Sequence, residues 1–324
     1  MELVGEVLMG LGLTLLGLGL LVVLYTVVYR TCIKGKECRN KTSLRGKTVL
    51  LTGGNSGIGK ATALDLARRG ARVIVASRNR KLGESAACEI RKESGNNEVL
   101  YMSLDLGSLR SVRAFAEDFL QSEARLDILI NNAAVICEGE SEDGFNVTFQ
   151  VNHLGHFLLT HLLLDRVKQC SPSRVVIVSS DVHRKGTIDF QKVHKPVEGY
   201  LKAFQSYCNS KLANVLHVRE LARRLRGTNV TFYAVHPGAV HTNALRYSPL
   251  WVQYPYLGFT WLFFRDAHNG AQTSIYCATE EGLEPLSGSY FDNCRRDDTC
   301  PLGRDDALAT KLWEFSERLL GIAP

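Results

Sequence analysis

Short apolar segments alternate with longer segments of helical spacing through most of this chain, from about residue 48 to residue 235. The apolar segments have the length and β-branched content of buried strands, and the intervening segments repeat their apolar residues at helical intervals. Buried strands separated by helices are typical of a parallel sheet that is covered on both faces. The predicted fold class is therefore α/β, a doubly wound parallel sheet of the Rossmann type.

The pattern predicts six strands and five main helices. The strands are expected at 48–52, 72–77, 99–105, 126–131, 174–180 and 230–235, and the helices at 59–69, 80–93, 108–121, 144–167 and 200–225. No internal repeat or low-complexity tract interrupts this order. We expect one folded domain over 47–324, preceded by a membrane anchor (1–28) and a basic linker (29–46).

The first segment contains no charged side chain from Val7 to Val28, a run of 22 residues. A helix of that length matches a hydrocarbon core about 30 Å thick. A cleaved secretory signal is the alternative, but Glu2 and Glu6 precede the run where a signal has positive charges. No small-x-small cleavage site follows it. The segment is predicted to be an uncleaved, single-pass transmembrane helix.

Basic residues gather immediately after this run, at Arg30, Lys34, Lys36, Arg39 and Lys41. The positive-inside rule therefore places the catalytic domain in the cytosol, on the endoplasmic reticulum as the expected membrane. Nine cysteines without a CxxC pair fit reduced thiols in that compartment. Three N-x-S/T sequons begin at Asn40, Asn146 and Asn229, and we expect none to be used, because sequons arise by chance and the last two lie within or beside predicted regular elements. A net charge of +6 without a basic, aromatic-interleaved block argues against a nucleic-acid partner.

A glycine-rich turn follows the first predicted strand at Thr52–Gly59. Glycines permit positive φ and let the backbone approach a pyrophosphate at the start of the next helix. A tight turn with no ligand is the alternative, and the position between a strand and a helix favours dinucleotide binding. The expected contacts are Gly53, Asn55, Ser56, Gly57, Ile58 and Gly59.

The end of the second strand indicates which dinucleotide is bound. An NAD-selective site places Asp or Glu there to bind the ribose 2′-hydroxyl, whereas this chain has Ser77 and Arg78. An arginine and a hydroxyl can form hydrogen bonds with a 2′-phosphate, so NADP(H) is the predicted cofactor. A solvated loop arginine, and with it an NAD-preferring enzyme, is the alternative.

Tyr207 and Lys211 are four residues apart on a predicted helix, so the phenol and the ammonium share one face. A nearby ammonium favours the phenolate and lowers the tyrosine pKa from about 10 towards neutrality. Such pairs are common by chance. Two further polar residues strengthen the case, namely Ser180 at the end of the fifth strand and Asn152 within an apolar helix, although a buried asparagine is often purely structural.

Taken together, these motifs closely resemble the short-chain dehydrogenase/reductase pattern. The motifs are Thr52-Gly53-xxx-Gly57-x-Gly59, Asn131-Asn132-Ala133-Ala134, Asn152, Ser180 and Tyr207-xxx-Lys211. The resemblance extends from about residue 46 to the C-terminus, and 151–160, 210–220 and 270–278 resemble its retinol dehydrogenase branch. Ala134 stands where the family usually has glycine, so its methyl group is a candidate for crowding the cofactor.

The resemblance implies a role for each matching residue. Tyr207 would be the general acid/base, Lys211 would hold the nicotinamide ribose, Ser180 would bind the substrate oxygen, and Asn152 would support a proton relay. The implied cofactor contacts outside the glycine-rich turn are Ser77, Arg78, Asp105, Asn132, Pro237, Gly238, Val240 and Thr242. The chemistry would be direct hydride transfer, which needs no metal.

The evidence on the substrate comes from residues 242–266, which contain eight aromatic side chains and few charges. Such a segment could cover a lipophilic substrate, rest on the bilayer or simply pack against the domain. A retinoid is the expected substrate, and a steroid or a fatty aldehyde is the alternative. A non-catalytic cofactor-binding scaffold is the runner-up from another class, and a homo-oligomer is possible.

Overall fold

In the computed structural model, residues 2–240 and 264–323 are described, with side chains from Thr14 onward except those of Arg30 and Cys32. This part of the chain contains one eight-stranded sheet. Its strands are β1 (Thr48–Thr52), β2 (Arg72–Ser77), β3 (Val99–Ser103), β4 (Ile128–Asn131), β5 (Ser173–Val178), β6 (Val230–His236), β7 (Tyr290–Asp292) and β8 (Arg295–Asp297).

The strand order is β3-β2-β1-β4-β5-β6-β7-β8. The pairs from β1 to β7 are parallel, as predicted, whereas β8 is antiparallel to β7. The expectation of a wholly parallel sheet is therefore wrong at this edge. The reversal is local, because Asn293 and Cys294 adopt φ values of 55° and 54° in the turn between the strands. Between β1 and β4 the order changes direction, and ligands bind at such a point.

Helices cover both faces of the sheet, as the alternation predicts. The described helices are α1 (Glu2–Val28), α2 (Gly57–Arg68), α3 (Arg80–Ser94), α4 (Leu109–Ser122), α5 (Val147–Phe149), α6 (Gly155–Gln169), α7 (Tyr200–Arg224), α8 (Ala267–Thr279) and α9 (Asp306–Leu320). Leu50 belongs to the core beneath α4, α6, α7 and α9, and its neighbours Val49 and Leu51 belong to the core beneath α2, α3 and α8. Period-two alternation along one buried strand thus supplies both cores.

The helix predicted at 144–167 is interrupted. It begins at Val147 because the Asn146 side chain accepts a hydrogen bond from the Phe149 amide, 2.9 Å away. Residues Gln150–Leu154 then form a π-helical turn before α6 starts. A single π turn inside a helix commonly marks a functional site. This one contains Asn152.

The N-terminal helix α1 has apolar side chains that are exposed on all sides in its described part, among them Leu15, Leu20 and Val27. Within the residues that the structure describes, no helix meets both the length and the apolarity of a membrane span. The segment after α1 contacts the domain. The Cys38 amide donates to Gln272 Oε1 at 2.9 Å, and the Lys36 amide donates to Asn293 Oδ1 at 2.8 Å.

Candidate active site

A cleft with a cavity volume of about 240 Å³ opens at the carboxyl ends of β1, β4 and β5. One wall is the glycine-rich turn, and the opposite wall carries Tyr207 and Lys211 from α7. The cleft thus lies at the change of strand direction, where a doubly wound sheet binds its ligand.

The structure brings most of the predicted site residues to this cleft. Its lining includes Gly53, Asn55, Ser56, Gly57, Ile58, Gly59, Ser77, Arg78, Asp105, Asn132, Tyr207, Lys211 and Pro237. Asn152, Ser180, Gly238 and Val240 lie outside that lining and are described below. Thr242 lies outside the described residues.

The turn after β1 requires glycine for two different reasons. Gly53 and Gly57 adopt φ values of +69° and +52°, and a Cβ on Gly59 would lie 2.3 Å from the Gly53 carbonyl oxygen. The helix α2 then begins with Ser56 as its N-cap, whose side chain makes no capping hydrogen bond. Its first amide groups therefore face the cleft without an intrahelical acceptor, which fits the diphosphate of a dinucleotide.

The end of β2 presents a hydroxyl and a cation. Ser77 Oγ is buried and has no hydrogen-bond partner among the described residues, although its residue lines the cleft. The Arg78 side chain is 60% exposed, and its Nη1 lies 3.9 Å from Asp105 Oδ2. Asp105 is itself held, since its Oδ1 accepts from the Gly107 amide at 2.9 Å. These donors fit an oxygen-rich group at this corner of the cleft.

Tyr207 and Lys211 share one face of α7, and Lys211 Nζ lies 5.4 Å from the centre of the tyrosine ring. The lysine is only 1% exposed, and its Nζ donates to the Val178 carbonyl at 2.9 Å. Burial disfavours the ammonium and lowers the pKa of Lys211 to about 7. An amine that titrates near neutrality thus stands beside the phenol.

Asn152 holds the wall of the cleft from behind. Its Oδ1 accepts from the Val135 amide at 2.8 Å, and its Nδ2 donates to the Val135 carbonyl at 3.0 Å and to Ser210 Oγ at 3.1 Å. Val135 lines the cleft, and Ser210 precedes Lys211 on α7. The side chain of Asn152 thereby connects the loop after β4 to the helix that carries Tyr207.

Two residues that the sequence pattern did not indicate as site residues, Thr52 and His156, complete this connection. Thr52 Oγ1 accepts from the amides of Asn132 and Ala133 at 2.9 and 3.1 Å, and it lies 2.8 Å from His156 Nε2. Because the hydroxyl accepts two hydrogen bonds, it donates its own proton to Nε2. His156 Nδ1 then donates to the Asn152 carbonyl at 3.2 Å.

Burial lowers the pKa of His156 to about 3, so the ring is neutral and this proton arrangement persists at physiological pH. The glycine-rich turn and the π turn are thus joined through one imidazole. The signal in the sequence is a histidine four residues after a buried asparagine, which puts both on one helix face.

Strand β5 ends at Val178, two residues before the predicted end. Ser179 lines the cleft, and its hydroxyl donates to the Lys211 carbonyl at 2.7 Å. Ser180 is partly exposed, and its carbonyl accepts from both the amide and Nδ1 of His183, at 3.1 and 2.8 Å. The two adjacent serines therefore divide the work. Ser179 is hydrogen-bonded to α7, and Ser180 is partly exposed outside the cleft lining.

The loop after β6 borders the cleft through Pro237. Gly238 adopts a φ of +84°, and Val240 is buried against α8, where a Cβ on Gly270 would lie 2.6 Å from its Cγ2. On the other side, Ala134 contributes its methyl group to the cleft lining.

Metal ligation and disulfide bonding have no support in the described part of the chain. No group of three or more His, Cys, Asp or Glu side chains there could hold a metal ion. The eight cysteines with described side chains are all free thiols.

Residues 47–252 match the family described as short chain dehydrogenase. The chain belongs to that family. The match begins just before β1 and includes the glycine-rich turn, Asn152, Ser180, Tyr207 and Lys211. The predicted membership of the short-chain dehydrogenase/reductase family is confirmed.

This short-chain dehydrogenase is similar to Dehydrogenase/reductase SDR family member 13 of Bos taurus, with 54% identity over 96% of this chain and 82% of the relative. It is 49% identical to human Retinol dehydrogenase 12, over 95% of this chain and 99% of the relative. The predicted resemblance to the retinol dehydrogenase branch is confirmed. The segments 91–98 and 284–294 suggest dehydrogenase/reductase member thirteen in particular, and the overall likeness to that relative is confirmed. The chain is therefore an oxidoreductase.

Solved structures show the same fold. An uncharacterised protein from Mycobacterium paratuberculosis superimposes with a TM-score of 0.71 at 33% identity, over 89% of this chain and 98% of that one. A short chain dehydrogenase from Escherichia coli CFT073, complexed with NADPH, superimposes with a TM-score of 0.62 at 23% identity, over 78% of this chain and 99% of that one. Family and cleft together indicate a nicotinamide cofactor for this short-chain dehydrogenase.

Proposed function

We propose that this protein is an NADP(H)-dependent oxidoreductase that interconverts the alcohol and the carbonyl of a lipophilic, retinoid-like substrate. One observation carries the proposal. A single cleft contains an anion-binding turn, Gly53–Gly59, and a phenol with a buried amine behind it, Tyr207 and Lys211. A dinucleotide bound along this cleft would have its phosphates at the first feature and its reactive ring near the second.

The bound cofactor supplies or accepts the hydride, and the protein handles the proton. In the reduction, Tyr207 Oη donates its proton to the substrate oxygen, and in the oxidation it removes that proton. Ser180 Oγ donates a hydrogen bond to the same oxygen. The protonated Lys211 amine stabilises the phenolate left after donation, and the Lys211–Val178 hydrogen bond orients it. Asn152 supports the proton relay and keeps Val135 in place.

Selection of NADP(H) over NAD(H) rests on the end of β2. The strand is followed by Arg78 and lacks the carboxylate that would bind a free ribose 2′-hydroxyl. A 2′-phosphate would satisfy the buried Ser77 Oγ and pair with the exposed Arg78 guanidinium. Asp105 would contact the adenine, and Asn132 would contact the cofactor from the carboxyl end of β4.

The retinoid-like substrate is supported by the relative named Retinol dehydrogenase 12 and by the aromatic residues of 242–266. We further propose that α1 anchors the enzyme as a single pass in the endoplasmic reticulum, with the domain in the cytosol. The support is its uncharged run from Val7 to Val28 and its exposed apolar side chains. Protease protection in microsomes would test the orientation, since protection of the domain would contradict it.

The test of function uses the full-length protein in detergent with NADPH deuterated at C4. All-trans-retinal, a steroid ketone and a long-chain aldehyde are offered separately, and the product alcohols are analysed by mass spectrometry. We expect deuterium at the carbinol carbon of retinol, at a rate far above that of the Tyr207→Phe variant. Tight NADPH binding without transfer to any of the three would favour the scaffold alternative and overturn the proposal. Transfer only to the steroid or the aldehyde would reject the retinoid assignment.

A further inference from the structure

Arg265 is a buried arginine that connects three separate segments of the chain. Its side chain is among the buried ones, with 9% of the residue exposed. Nε donates to the Ile33 carbonyl at 2.8 Å, Nη1 to the Pro237 carbonyl at 3.3 Å, and Nη2 to Asn293 Oδ1 at 3.4 Å. The guanidinium therefore joins the segment after α1 to the loop after β6 and to the β7–β8 turn.

The backbone of Arg265 holds the same loop. Its amide donates to the Ala239 carbonyl at 2.7 Å, and it forms an isolated parallel bridge with Val240. Loop 237–240 is therefore fixed from two directions, through main-chain hydrogen bonds and through the guanidinium. Pro237 of this loop lines the cleft.

Two glycines make room for the guanidinium. A Cβ on Gly35 would lie 2.6 Å from Arg265 Cζ, and a Cβ on Gly238 would lie 2.5 Å from Nη1. Both glycines adopt positive φ, +77° and +84°. The Asn293 oxygen that accepts from Arg265 also accepts from the Lys36 amide at 2.8 Å, so the segment around Gly35 is tied down next to the guanidinium.

The three oxygens that accept from the guanidinium among the described residues are uncharged: two are main-chain carbonyls and one belongs to the Asn293 amide. Charge pairing with them therefore does not account for this arrangement. Removing a guanidinium from water is costly unless its N–H groups find acceptors. The rigid, planar fork of arginine can reach acceptors in several directions at once, which a lysine cannot do. The guanidinium therefore holds the three segments that it contacts at fixed distances from one another.

We propose that Ile33, Gly35, Lys36, Arg265 and Asn293 form a strap that positions loop 237–240 against the bound nicotinamide, with Arg265 as its positioning residue. The strap begins outside the catalytic domain, since Ile33–Lys36 precede the family match at residue 47. The inference rests on the proposed function, because it assumes that this loop contacts the cofactor. The segment after α1 would then contribute to cofactor binding as well as link α1 to the domain.

The main test compares two glycine substitutions in the full-length protein in detergent. Gly35 and Gly46 have nearly equal φ values, +77° and +75°, but a Cβ on Gly46 would meet no atom within 4 Å. Both alanine variants therefore carry the same backbone strain, and only Gly35→Ala collides with Arg265. We expect Gly35→Ala to weaken NADPH binding and raise its KM by up to about 100-fold, since a displacement of roughly 1 Å can cost that much. Gly46→Ala should leave both unchanged.

Arg265→Ala is the direct variant, and its loss of buried contacts makes unfolding a risk. Where it folds, Gly35→Ala added to it should weaken NADPH binding less than it does in the wild type, because the collision with Arg265 has been removed and only that with Asn293 Oδ1, at 2.7 Å, remains. Arg265→Lys keeps the charge and should not restore wild-type affinity. If both glycine variants bind NADPH equally well, the strap proposal is wrong. Failure of the wild type itself to bind NADPH would instead reject the proposed function.

Discussion

The cleft contains two cations whose surroundings are opposite. Lys211 is 1% exposed and donates to a main-chain carbonyl, whereas the Arg78 side chain is 60% exposed and lies 3.9 Å from Asp105. Burial gives the lysine a fixed position and makes its charge depend on pH near neutrality. The arginine lies at the exposed edge of the cleft, so we expect it to affect cofactor affinity and leave the chemical step unchanged.

The buried corner of the cleft, around Lys211, is also held by a network of hydrogen bonds. The Val178 carbonyl accepts from Lys211 Nζ and from Asn214 Nδ2, and Asn214 Oδ1 lies 3.3 Å from His153 Nδ1. Removing one partner there leaves a buried polar atom unsatisfied, which costs about 1–3 kcal/mol. At the other end, the Arg78 guanidinium lies beside the Asp105 carboxylate, and both side chains remain accessible to water. Substitutions at the two ends should therefore differ in kind, and four experiments test that difference.

The largest effect is expected at the buried corner, for Tyr207→Phe. The variant lacks the proton donor, so the rate of hydride transfer should fall by about 10²- to 10⁴-fold, the usual contribution of general acid/base catalysis. NADPH binding should be retained, because the hydroxyl is not needed for the phosphate contacts. Single-turnover kinetics and nucleotide fluorescence measure the two quantities. Tyr200→Phe on the same helix is the control, and equal turnover in both variants would exclude Tyr207 as the acid.

The next effect concerns the charge of Lys211. Its pKa is about 7 in the folded protein, against an ordinary value of 10.5. Between these values the unfolded chain binds more protons than the folded one, so stability without nucleotide should rise with pH across that window. The slope contributed by one such group is at most about 1.4 kcal/mol per pH unit.

Urea unfolding at several pH values, compared with Lys211→Met, isolates this contribution. Buried thiols whose pKa is raised titrate in the same window with the opposite sign, but they do so in both proteins. The wild type should therefore gain stability relative to the variant as pH rises from 7 to about 10, in line with proton linkage. A constant difference would show that Lys211 is not titrating there.

At the exposed end, Arg78→Ala should weaken NADPH binding by about 1–3 kcal/mol, the range for charged hydrogen bonds. NADH binding should hardly change, because it lacks the 2′-phosphate. Arg80→Ala is a matched control, since Arg80 is a more exposed arginine paired with Glu84 one helical turn away. Calorimetric titration with both nucleotides is the measurement. An equal loss of affinity for NADH would reject the contact between Arg78 and the 2′-phosphate.

The smallest effect is expected for Ala134→Gly, which removes a methyl group from the lining of the cleft. If the methyl crowds the cofactor, NADPH binding should tighten by up to about 1 kcal/mol. The midpoint temperature of thermal unfolding should decrease slightly, since glycine costs roughly 0.5–1 kcal/mol of backbone entropy. Gly54→Ala, the reverse change in the neighbouring turn, tests whether that site tolerates a methyl group. Weaker NADPH binding by Ala134→Gly would contradict crowding.

Local patterns in the sequence predicted a large part of this protein. The five residues of β1 are predicted and observed at the same positions, and the glycine-rich turn lies where a strand meets a helix. Most of the residues assigned to the cofactor line one cleft. These features depend on periodicity and on the φ preferences of glycine, which act within a few residues of the chain.

Tertiary structure decided what depends on partners distant in sequence. The Thr52–His156 hydrogen bond spans 104 residues and the Arg265–Ile33 hydrogen bond spans 232, and neither leaves a local pattern. The β7 and β8 strands have three residues each, too few for a periodic signal. Pairing of β7 with β6 and of β8 with β7 makes them strands. Arginine and histidine are usually solvated. Only packing shows that these two are buried, and burial is what gives them a fixed position in the site.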